Sequence, residues 1–217
     1  MRYGRIAIGD REASCRIDGT TAHRLSASPW EGGRETGESF PLEAVRLLAP
    51  VRPSKIVCIG KNYAKHAAEM GSDVPKTPLL FLKAPTSLVG PGEPIELPSQ
   101  SDRVEHEGEL AVVIGRTARH VTREEALSFV FGYACANDVT ARDLQRSDVQ
   151  FTRSKSFDTF CPIGPWIETE LDPTGVGVTL RVNGALRQHG NTRDMVFPVA
   201  YLISFVSSVM TLLPGDV

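Results

Sequence analysis

The stretch VEHEGELAVVIG, residues 104–115, predicts a strand whose two halves differ in character. Its second half is apolar and rich in β-branched residues, which is typical of a buried strand. Its first half places Glu105, Glu107 and Glu109 at alternate positions, where strand side chains point to one face. Cα atoms two residues apart on a strand are roughly 6.5–7 Å apart, so two of these carboxylates can converge on one hard cation. The same pattern also fits the wet face of an edge strand, and the run alone leaves both interpretations open.

The composition is that of an ordinary globular protein of 217 residues, long enough for one main domain and a small appendage. A net charge of −2, without a cluster of Lys or Arg, gives no reason to expect a nucleic-acid partner. The longest apolar stretch, residues 197–213, is interrupted by Pro198 and is shorter than the roughly 20 residues that span a bilayer. No apolar signal-peptide core follows Met1, so we expect no membrane partner and a cytoplasmic location.

Two segments are predicted, a small β-rich N-terminal domain at residues 1–51 and a main domain at residues 52–217. Pro50 and Pro53 mark the boundary between them. The final residues, Leu213-Pro214-Gly215-Asp216-Val217, form a turn followed by one apolar residue. We therefore expect the natural chain to continue into another strand, so that this C-terminal end is incomplete.

A first pair of candidate catalytic residues lies in a helix predicted over residues 62–70, which Gly71 would end. His66 and Glu69 are three positions apart and therefore share a face of that helix. A glutamate beside an imidazole orients the ring and raises its basicity, which suits a general base. The alternative is a solvated pair on the helix surface.

Three further candidates follow the strand predicted at residues 131–137. Asp138 comes where this apolar strand ends, a position that suits a metal-binding carboxylate or, alternatively, a helix cap. Arg142 is one helical turn further on and suits a bidentate grip on a substrate carboxylate. Lys155 stands among aromatic and small residues, where it would neutralise an enolate or carboxylate unless it is an ordinary surface lysine.

Other chemistries find little support in the sequence. It contains no Gly-x-Ser-x-Gly elbow, no P-loop, and neither a Gly-x-Gly-x-x-Gly nor a His-Glu-x-x-His motif. Its four cysteines are widely spaced and form no Cys-x-x-Cys pair, so neither a zinc site nor a redox motif is indicated. A ligand set made only of carboxylates favours Mg²⁺, with Mn²⁺ or Ca²⁺ as alternatives.

Five segments, in this order, resemble the motifs of the fumarylacetoacetate hydrolase family. They are Gly60-Lys61-Asn62-Tyr63-Ala64-x-His66-x-x-Glu69-Met70, Phe81-Leu82-Lys83, Glu107-Gly108-Glu109-Leu110-Ala111-Val112-Val113-Ile114-Gly115, Asn137-Asp138-Val139-Thr140-Ala141-Arg142-Asp143-Leu144-Gln145 and Lys155-Ser156-Phe157-Asp158-Thr159. The likeness covers residues 52–217. The residues before it resemble the small extra domain of bacterial members described as 2-hydroxyhepta-2,4-diene-1,7-dioate isomerases.

The resemblance implies an α+β fold, namely the mixed β-roll of that family's C-terminal domain joined to a small β-rich N-terminal domain. It implies that Glu107, Glu109 and Asp138 are the ligands of a divalent ion, usually Mg²⁺. It also implies that His66 and Glu69 form a catalytic dyad on a lid that closes over the substrate.

The family's Arg, Gln and Lys, which contact the substrate or order the metal shell, correspond here to Arg142, Gln145 and Lys155. We count Lys155 with the catalytic residues and the other two with the substrate-binding residues. Glu105 replaces a residue that is often uncharged in the family, and no role for it follows from the resemblance. Family habit further suggests a homodimer.

The function implied is that of a Mg²⁺-dependent enzyme acting on 2-oxo or 2-hydroxy-enol dicarboxylic acids through a metal-stabilised enolate. The N-terminal residues favour the 2-hydroxyhepta-2,4-diene-1,7-dioate isomerase or decarboxylase branch of aromatic catabolism. Acylpyruvate C–C hydrolysis and oxaloacetate decarboxylation are alternatives, because one such site serves all three outcomes. A member of another class, with the fold but only a structural or binding role, would lack the acids or the histidine, and here all are present.

Overall fold

The structure, a computed structural model, describes residues 1–63 and 75–217. Its strands are β1 (Arg2–Ile8), β2 (Arg11–Asp18), β3 (Thr21–Leu25), β4 (Glu35–Pro41), β5 (Arg46–Leu48), β6 (Ile56–Gly60), β7 (Leu79–Lys83), β8 (Leu88–Val89), β9 (Val104–Glu105), β10 (Gly108–Ile114), β11 (Val130–Asn137), β12 (Thr140–Ala141), β13 (Cys161–Glu168), β14 (Gly177–Val182) and β15 (Ala185–Asn191). The α-helices described are α1 (Arg142–Ser147), α2 (Thr152–Lys155) and α3 (Val199–Val209). None of these helices is long and apolar enough to cross a membrane.

One large sheet organises the chain, with the strand order β10-β11-β13-β1-β2-β3-β4. Strand β5 pairs with β1 and β8 with β13, while three separate pairs are formed by β6 with β7, β9 with β12, and β14 with β15. This large sheet with few helices confirms the predicted α+β fold class. The N-terminal strands continue the sheet of the main segment, because β1 pairs with β13 at Arg2↔Glu168 and Tyr3↔Ile167. The domain boundary at residue 51 stays a prediction.

The hydrophobic core nearest the acidic strand lies where α3 packs against β10 and β11. Its buried members include Ile114, Tyr133, Ile203 and Val206. Complete burial of an aliphatic side chain of this size stabilises the fold by about 1.5–3 kcal/mol. In the sequence, Pro198 suits the first position of a helix and predicts one to about Leu213; in the structure it is the N-cap residue, and the helix ends at Val209. The core therefore fixes β10, whose first residues carry the acidic pattern.

The prediction of one continuous strand over residues 104–115 is wrong. Pairing changes partner in the middle of the run: β9 pairs with β12, and β10 pairs with β11. His106 and Glu107 lie between the two strands, so Glu105 and Glu109 belong to different pairs. Simple alternation along one strand therefore does not explain how the acids meet.

Two helix predictions have different outcomes. Thr122 and Glu125 have the spacing of a capping box, which predicts a helix to about Val130. The structure has only a 3-10 turn there, Ala126–Phe129, although the Thr122 hydroxyl does accept the Glu125 N–H. The helix predicted over residues 62–70 lies outside the described residues beyond Tyr63. The dipeptide Asn183-Gly184 predicts a two-residue hairpin turn, and this is confirmed, because it joins β14 to β15.

Candidate active site

The backbone brings two of the predicted metal ligands together where β11 ends and β10 begins. These strands are antiparallel, and their register pairs Gly108 with Asn137. The Glu107 N–H donates to Asn137 Oδ1 (2.9 Å), and the Asp138 N–H donates to the Glu107 carbonyl (2.8 Å). The carboxylates of Glu107 and Asp138 therefore leave the sheet side by side, although they are 31 positions apart in the sequence.

Lys155 lies between those two carboxylates. Its ammonium donates to Glu107 Oε2 (3.1 Å) and Asp138 Oδ2 (2.5 Å), and the side chain is buried. It ends the short helix α2, and its ammonium also lies 5.1 Å from the centroid of the Phe81 ring. The interpretation of Lys155 as an ordinary surface lysine is therefore wrong.

Lys83 is a further site residue, which lies within one of the family motifs but had no predicted role. It ends β7 and is 1% exposed. Its ammonium donates to Asp138 Oδ1 (2.7 Å) and to the Val139 carbonyl (3.2 Å). Each oxygen of Asp138 thus accepts from a different buried lysine. The sequence signal that could have identified Lys83 as a site residue is its position as the last residue of an otherwise apolar strand, Leu79–Lys83.

Arg142 organises the other side of the acids. The guanidinium is 3% exposed and donates to Glu105 Oε2 (2.9 Å), Glu107 Oε1 (2.7 Å) and Gln145 Oε1 (2.6 Å). Glu105, which had no predicted role, is brought there because β9 pairs with β12 immediately before α1. It also accepts from Arg103 Nε (2.6 Å), so it acts as an additional anchor for the guanidinium.

The charges around Glu107 keep it ionised. Burial opposes the charged form, but Lys155 and Arg142 hold the pKa of Glu107 below its ordinary value. The same carboxylates raise the pKa of Lys155 against the effect of its burial, with Asp138 contributing most and Glu107 next. Lys155, Glu107 and Asp138 therefore form a largely buried network of ion pairs.

Glu109 differs from its neighbours. Burial, and then the charges of Glu107 and Asp138, raise its pKa to about 8. Among the described residues, no donor lies within hydrogen-bond distance of its carboxylate. The charge of Lys155 acts in the opposite direction but is outweighed, so a negative charge on the third acid of the row is unfavourable.

The residues present fit a hard divalent cation. Four carboxylates, from Glu105, Glu107, Glu109 and Asp138, lie together there, and Glu109 pairs with none of the cationic side chains that the structure describes. Oxygen ligands of this kind are those that Mg²⁺ and Mn²⁺ prefer. In the described parts of the chain, no three His, Cys, Asp or Glu side chains already surround one point as metal ligands. The Lys155 ammonium lies between two of the carboxylates, those of Glu107 and Asp138.

A cavity of about 160 Å³ opens beside the acids. Its polar wall is formed by Asn62, Tyr63, Lys83, Glu109 and Asp138, and the remainder is apolar and comes mainly from β6, β10 and α3. A small carboxylic acid could therefore meet the charged groups at one end of an apolar chamber.

The Asn62 side chain orders one edge of this cavity. Its amide donates to the Phe197 carbonyl (3.1 Å) and accepts the Phe197 N–H (2.9 Å). His66 and Glu69, the predicted dyad, follow closely in the sequence but lie outside the described residues.

Two family models match the chain. One, described as fumarylacetoacetate (FAA) hydrolase C-terminal, matches residues 55–217, and a second, Rv2993c-like N-terminal, matches residues 1–50. The chain belongs to the fumarylacetoacetate hydrolase family. The resemblance predicted from the five motifs is therefore confirmed.

Members of the fumarylacetoacetate hydrolase family with different reactions are similar to this chain. The solved 2-hydroxyhepta-2,4-diene-1,7-dioate isomerase from Mycobacterium marinum is 46% identical, with a TM-score of 0.92, and 100% of this chain and 84% of that one are covered. Maleylpyruvate hydrolase from Sphingobium sp. SYK-6, solved with manganese(II) and pyruvate, is 33% identical, with a TM-score of 0.79 and coverage of 100% and 86%. Human mitochondrial oxaloacetate tautomerase FAHD2A is 46% identical over 82% of this chain and 59% of that protein. The chain thus resembles enzymes of three reaction types.

Proposed function

We propose that this protein is a divalent-metal-dependent enzyme that moves a proton in 2-oxo or 2-hydroxy-enol dicarboxylic acids. The observation that carries the proposal is the convergence of three acids: the Asp138 N–H donates to the Glu107 carbonyl, Glu109 and Asp138 line one cavity, and Glu109 has no hydrogen-bond donor among the described residues. Burial, and then the charges of Glu107 and Asp138, raise the pKa of Glu109 to about 8, and a bound cation would relieve that repulsion. The presence of manganese in the solved maleylpyruvate hydrolase supports a metal in the same family.

Glu107, Glu109 and Asp138 are the proposed ligands, with Mg²⁺ or Mn²⁺ as the ion. When bound, the ion supplies the positive charge that stabilises an enolate. The chain's own residues prepare the site for it. Lys83 and Arg142 fix Asp138 and Glu107 by direct hydrogen bonds, so the two ligands are oriented before the ion arrives.

Lys155 and Gln145 are the proposed contacts for the substrate. The Lys155 ammonium already lies between two carboxylates, so a substrate carboxylate or enolate oxygen would meet a positive charge there. Gln145 is held by Arg142 through its Oε1, which leaves its NH₂ group as a donor to the substrate. His66, oriented by Glu69, is the proposed group that moves the proton; this role comes from the family resemblance.

The substrate class we favour is that of 2-hydroxyhepta-2,4-diene-1,7-dioate, converted by isomerisation or decarboxylation. Similarity to the M. marinum isomerase over the whole chain supports it. Oxaloacetate, undergoing tautomerisation or decarboxylation, is the second candidate and is supported by the human tautomerase. Acylpyruvate hydrolysis is supported by the more distant maleylpyruvate hydrolase. We also propose a homodimer, on family habit.

The test is turnover of these three substrates by ultraviolet absorbance, with Mg²⁺, with Mn²⁺, and after chelation. We expect metal-dependent turnover of at least one substrate. We also expect His66→Ala to lower kcat about 10²–10⁴-fold, because it removes the proton carrier. Glu109→Ala should abolish Mn²⁺ binding in calorimetry, whereas the exposed Glu124→Ala should bind like wild type.

Failure of every substrate with every metal would overturn the enzyme proposal and favour a non-catalytic member of the family. Unchanged Mn²⁺ affinity in Glu109→Ala would refute the ligand assignment even if turnover were observed.

A further inference from the structure

The side chain of Gln188 binds the backbone of the residue that separates two proposed metal ligands. Its Oε1 accepts the N–H of Gly108 (2.7 Å), and its Nε2 donates to the Gly108 carbonyl (2.6 Å). One amide side chain thus satisfies both polar groups of one peptide residue. Glu107 precedes this glycine and Glu109 follows it.

The position on the sheet explains why such a bond is needed. Among the described strands, β10 forms the end of the large sheet, so no strand pairs with its outer edge at Gly108. Unpaired backbone groups at an edge are a liability that proteins cover. On its inner edge the same segment is held by β11. Gly108 is the cross-strand partner of Asn137, and the Glu107 N–H donates to Asn137 Oδ1. Gln188 therefore completes the restraint from the opposite side.

The hairpin that carries Gln188 fits closely over this glycine. Gln188 is the cross-strand partner of Leu180 in the β14–β15 pair. A Cβ added at Gly108 would lie 3.2 Å from Gln188 Oε1 and 3.3 Å from the Leu180 Cβ, which is tighter than ordinary contact. The absence of a side chain at position 108 is thus what admits the amide.

The base of the same hairpin is also fixed. Buried Thr192, immediately after β15, accepts the N–H groups of Gly175 (2.9 Å) and Val176 (2.8 Å) through its hydroxyl. That hydroxyl donates to the Pro173 carbonyl (2.6 Å). The hairpin is therefore anchored at its base and presents Gln188 from a defined position.

We propose that Gln188 is a positioning residue for the metal site, holding the Gly108 peptide so that Glu107 and Glu109 are directed to one ion. The inference rests on the proposed function, since it takes those glutamates as ligands. Removal of a residue that orients a metal ligand typically lowers metal affinity about 10- to 100-fold. Gln188 acts through Gly108 and touches no reacting atom.

The test is Mn²⁺ binding by calorimetry, with the electron paramagnetic resonance spectrum of the bound ion as a second readout. Gln188→Met keeps the length of the side chain and loses both hydrogen bonds. We expect it to weaken Mn²⁺ binding about 10- to 100-fold and to broaden the spectrum, at a temperature where circular dichroism shows the variant folded. The matched control is His189→Met, an exposed neighbour on the same strand, which should bind like wild type.

Wild type and Glu109→Ala are measured in parallel. Wild type that binds Mn²⁺, with Glu109→Ala that does not and Gln188→Met that binds normally, would overturn this inference and leave the proposed function standing. Wild type that binds no Mn²⁺ would overturn both. Should Gln188→Met not fold, Gln188→Asn decides: it keeps the amide but is too short to reach both groups, and unchanged affinity in it overturns the inference.

Discussion

Two carboxylates near opposite ends of β10 have contrasting surroundings. Asp216 packs beside the end of the strand, where the Ile114 N–H donates to its carbonyl (2.9 Å). Its carboxylate is fully buried and accepts from the N–H groups of Ser54, Lys55 and Leu213, from the Ser54 hydroxyl and from the Lys55 ammonium. Glu109, near the start of the strand, is surrounded by other acids.

The pKa values follow these surroundings. For Asp216, burial opposes ionisation, but the bonds from Lys55, Leu213 and Ser54 hold its pKa below the ordinary value. For Glu109, burial and the neighbouring acids act in the same direction and raise its pKa to about 8. A buried carboxylate with a complete set of donors is thus a structural element. One that lies beside other acids is our proposed metal ligand, so the contrast is between a structural carboxylate and a proposed functional one.

The largest effect is expected for Asp216→Ala. The variant leaves three backbone N–H groups without an acceptor, and each orphaned buried group costs about 1–3 kcal/mol. We expect the free energy of unfolding in urea to fall by about 3 kcal/mol or more at neutral pH. Mn²⁺ affinity in the folded variant should be unchanged. The exposed Asp10→Ala serves as control, and an equal loss there would contradict the structural role of Asp216.

A medium effect of the opposite sign is expected for Glu109→Gln without metal. The folded pKa of Glu109 is about 8 against an ordinary 4.5, so its favourable contribution is present below pH 4.5 and is lost as the pH rises through 8. A glutamine at this position would carry no such penalty, because its amide stays neutral at every pH. We therefore expect the variant to be more stable than wild type by about 3 kcal/mol at pH 8.5, with the gain shrinking towards pH 5.

The measurement is urea unfolding at both pH values, with and without Mn²⁺. Added Mn²⁺ should stabilise wild type and leave Glu109→Gln unchanged. A variant less stable than wild type at pH 8.5 would show that Glu109 is compensated as fully as Asp216, and the contrast between the two carboxylates would be lost.

The smallest effect is expected for an ion pair that involves neither Asp216 nor Glu109. Arg16 on β2 donates to Glu35 Oε1 on β4 (2.5 Å), and both side chains are partly exposed. Exposed pairs typically contribute about 0–1 kcal/mol and are screened by salt. We expect Arg16→Met to change the free energy of unfolding by less than about 1 kcal/mol, and less still at high salt. A loss similar to that of Asp216→Ala would show that ion pairing alone, without burial, sets these energies.

Local features of the fold were predictable from neighbouring residues. The Asn183-Gly184 turn needs a positive φ at both positions, and the structure has φ of 51° and 77° there. Pro198 likewise marks the start of α3. The break inside residues 104–115 was not predictable, because it depends on a change of pairing partner between β9 and β10. The alternation of polar and apolar residues is the same with or without that break.

For the site, the family motifs identified the acids and Lys155 but gave no environment for them. Asp138 could be proposed from its place after an apolar strand. The role of Glu105 required the β9–β12 pair, and that of Lys83 required the end of β7 to meet Asp138 across 55 residues of sequence. Such contacts are long-range, and no local pattern encodes them. The roles of His66 and Glu69 stay predictions.

The sequence by itself determined the residue types of this protein: a row of carboxylates, a few basic side chains, and motifs that resemble one family. Side-chain chemistry of that kind is local and can be identified without a structure. Only the tertiary structure decided which charges are compensated. Burial and distance set that balance. Five donors bind the Asp216 carboxylate, whereas the neighbours that raise the pKa of Glu109 are the acids Glu107 and Asp138. Within the stretch VEHEGELAVVIG, residues 104–115, they also brought the Gln188 amide to Gly108, between two of the acids.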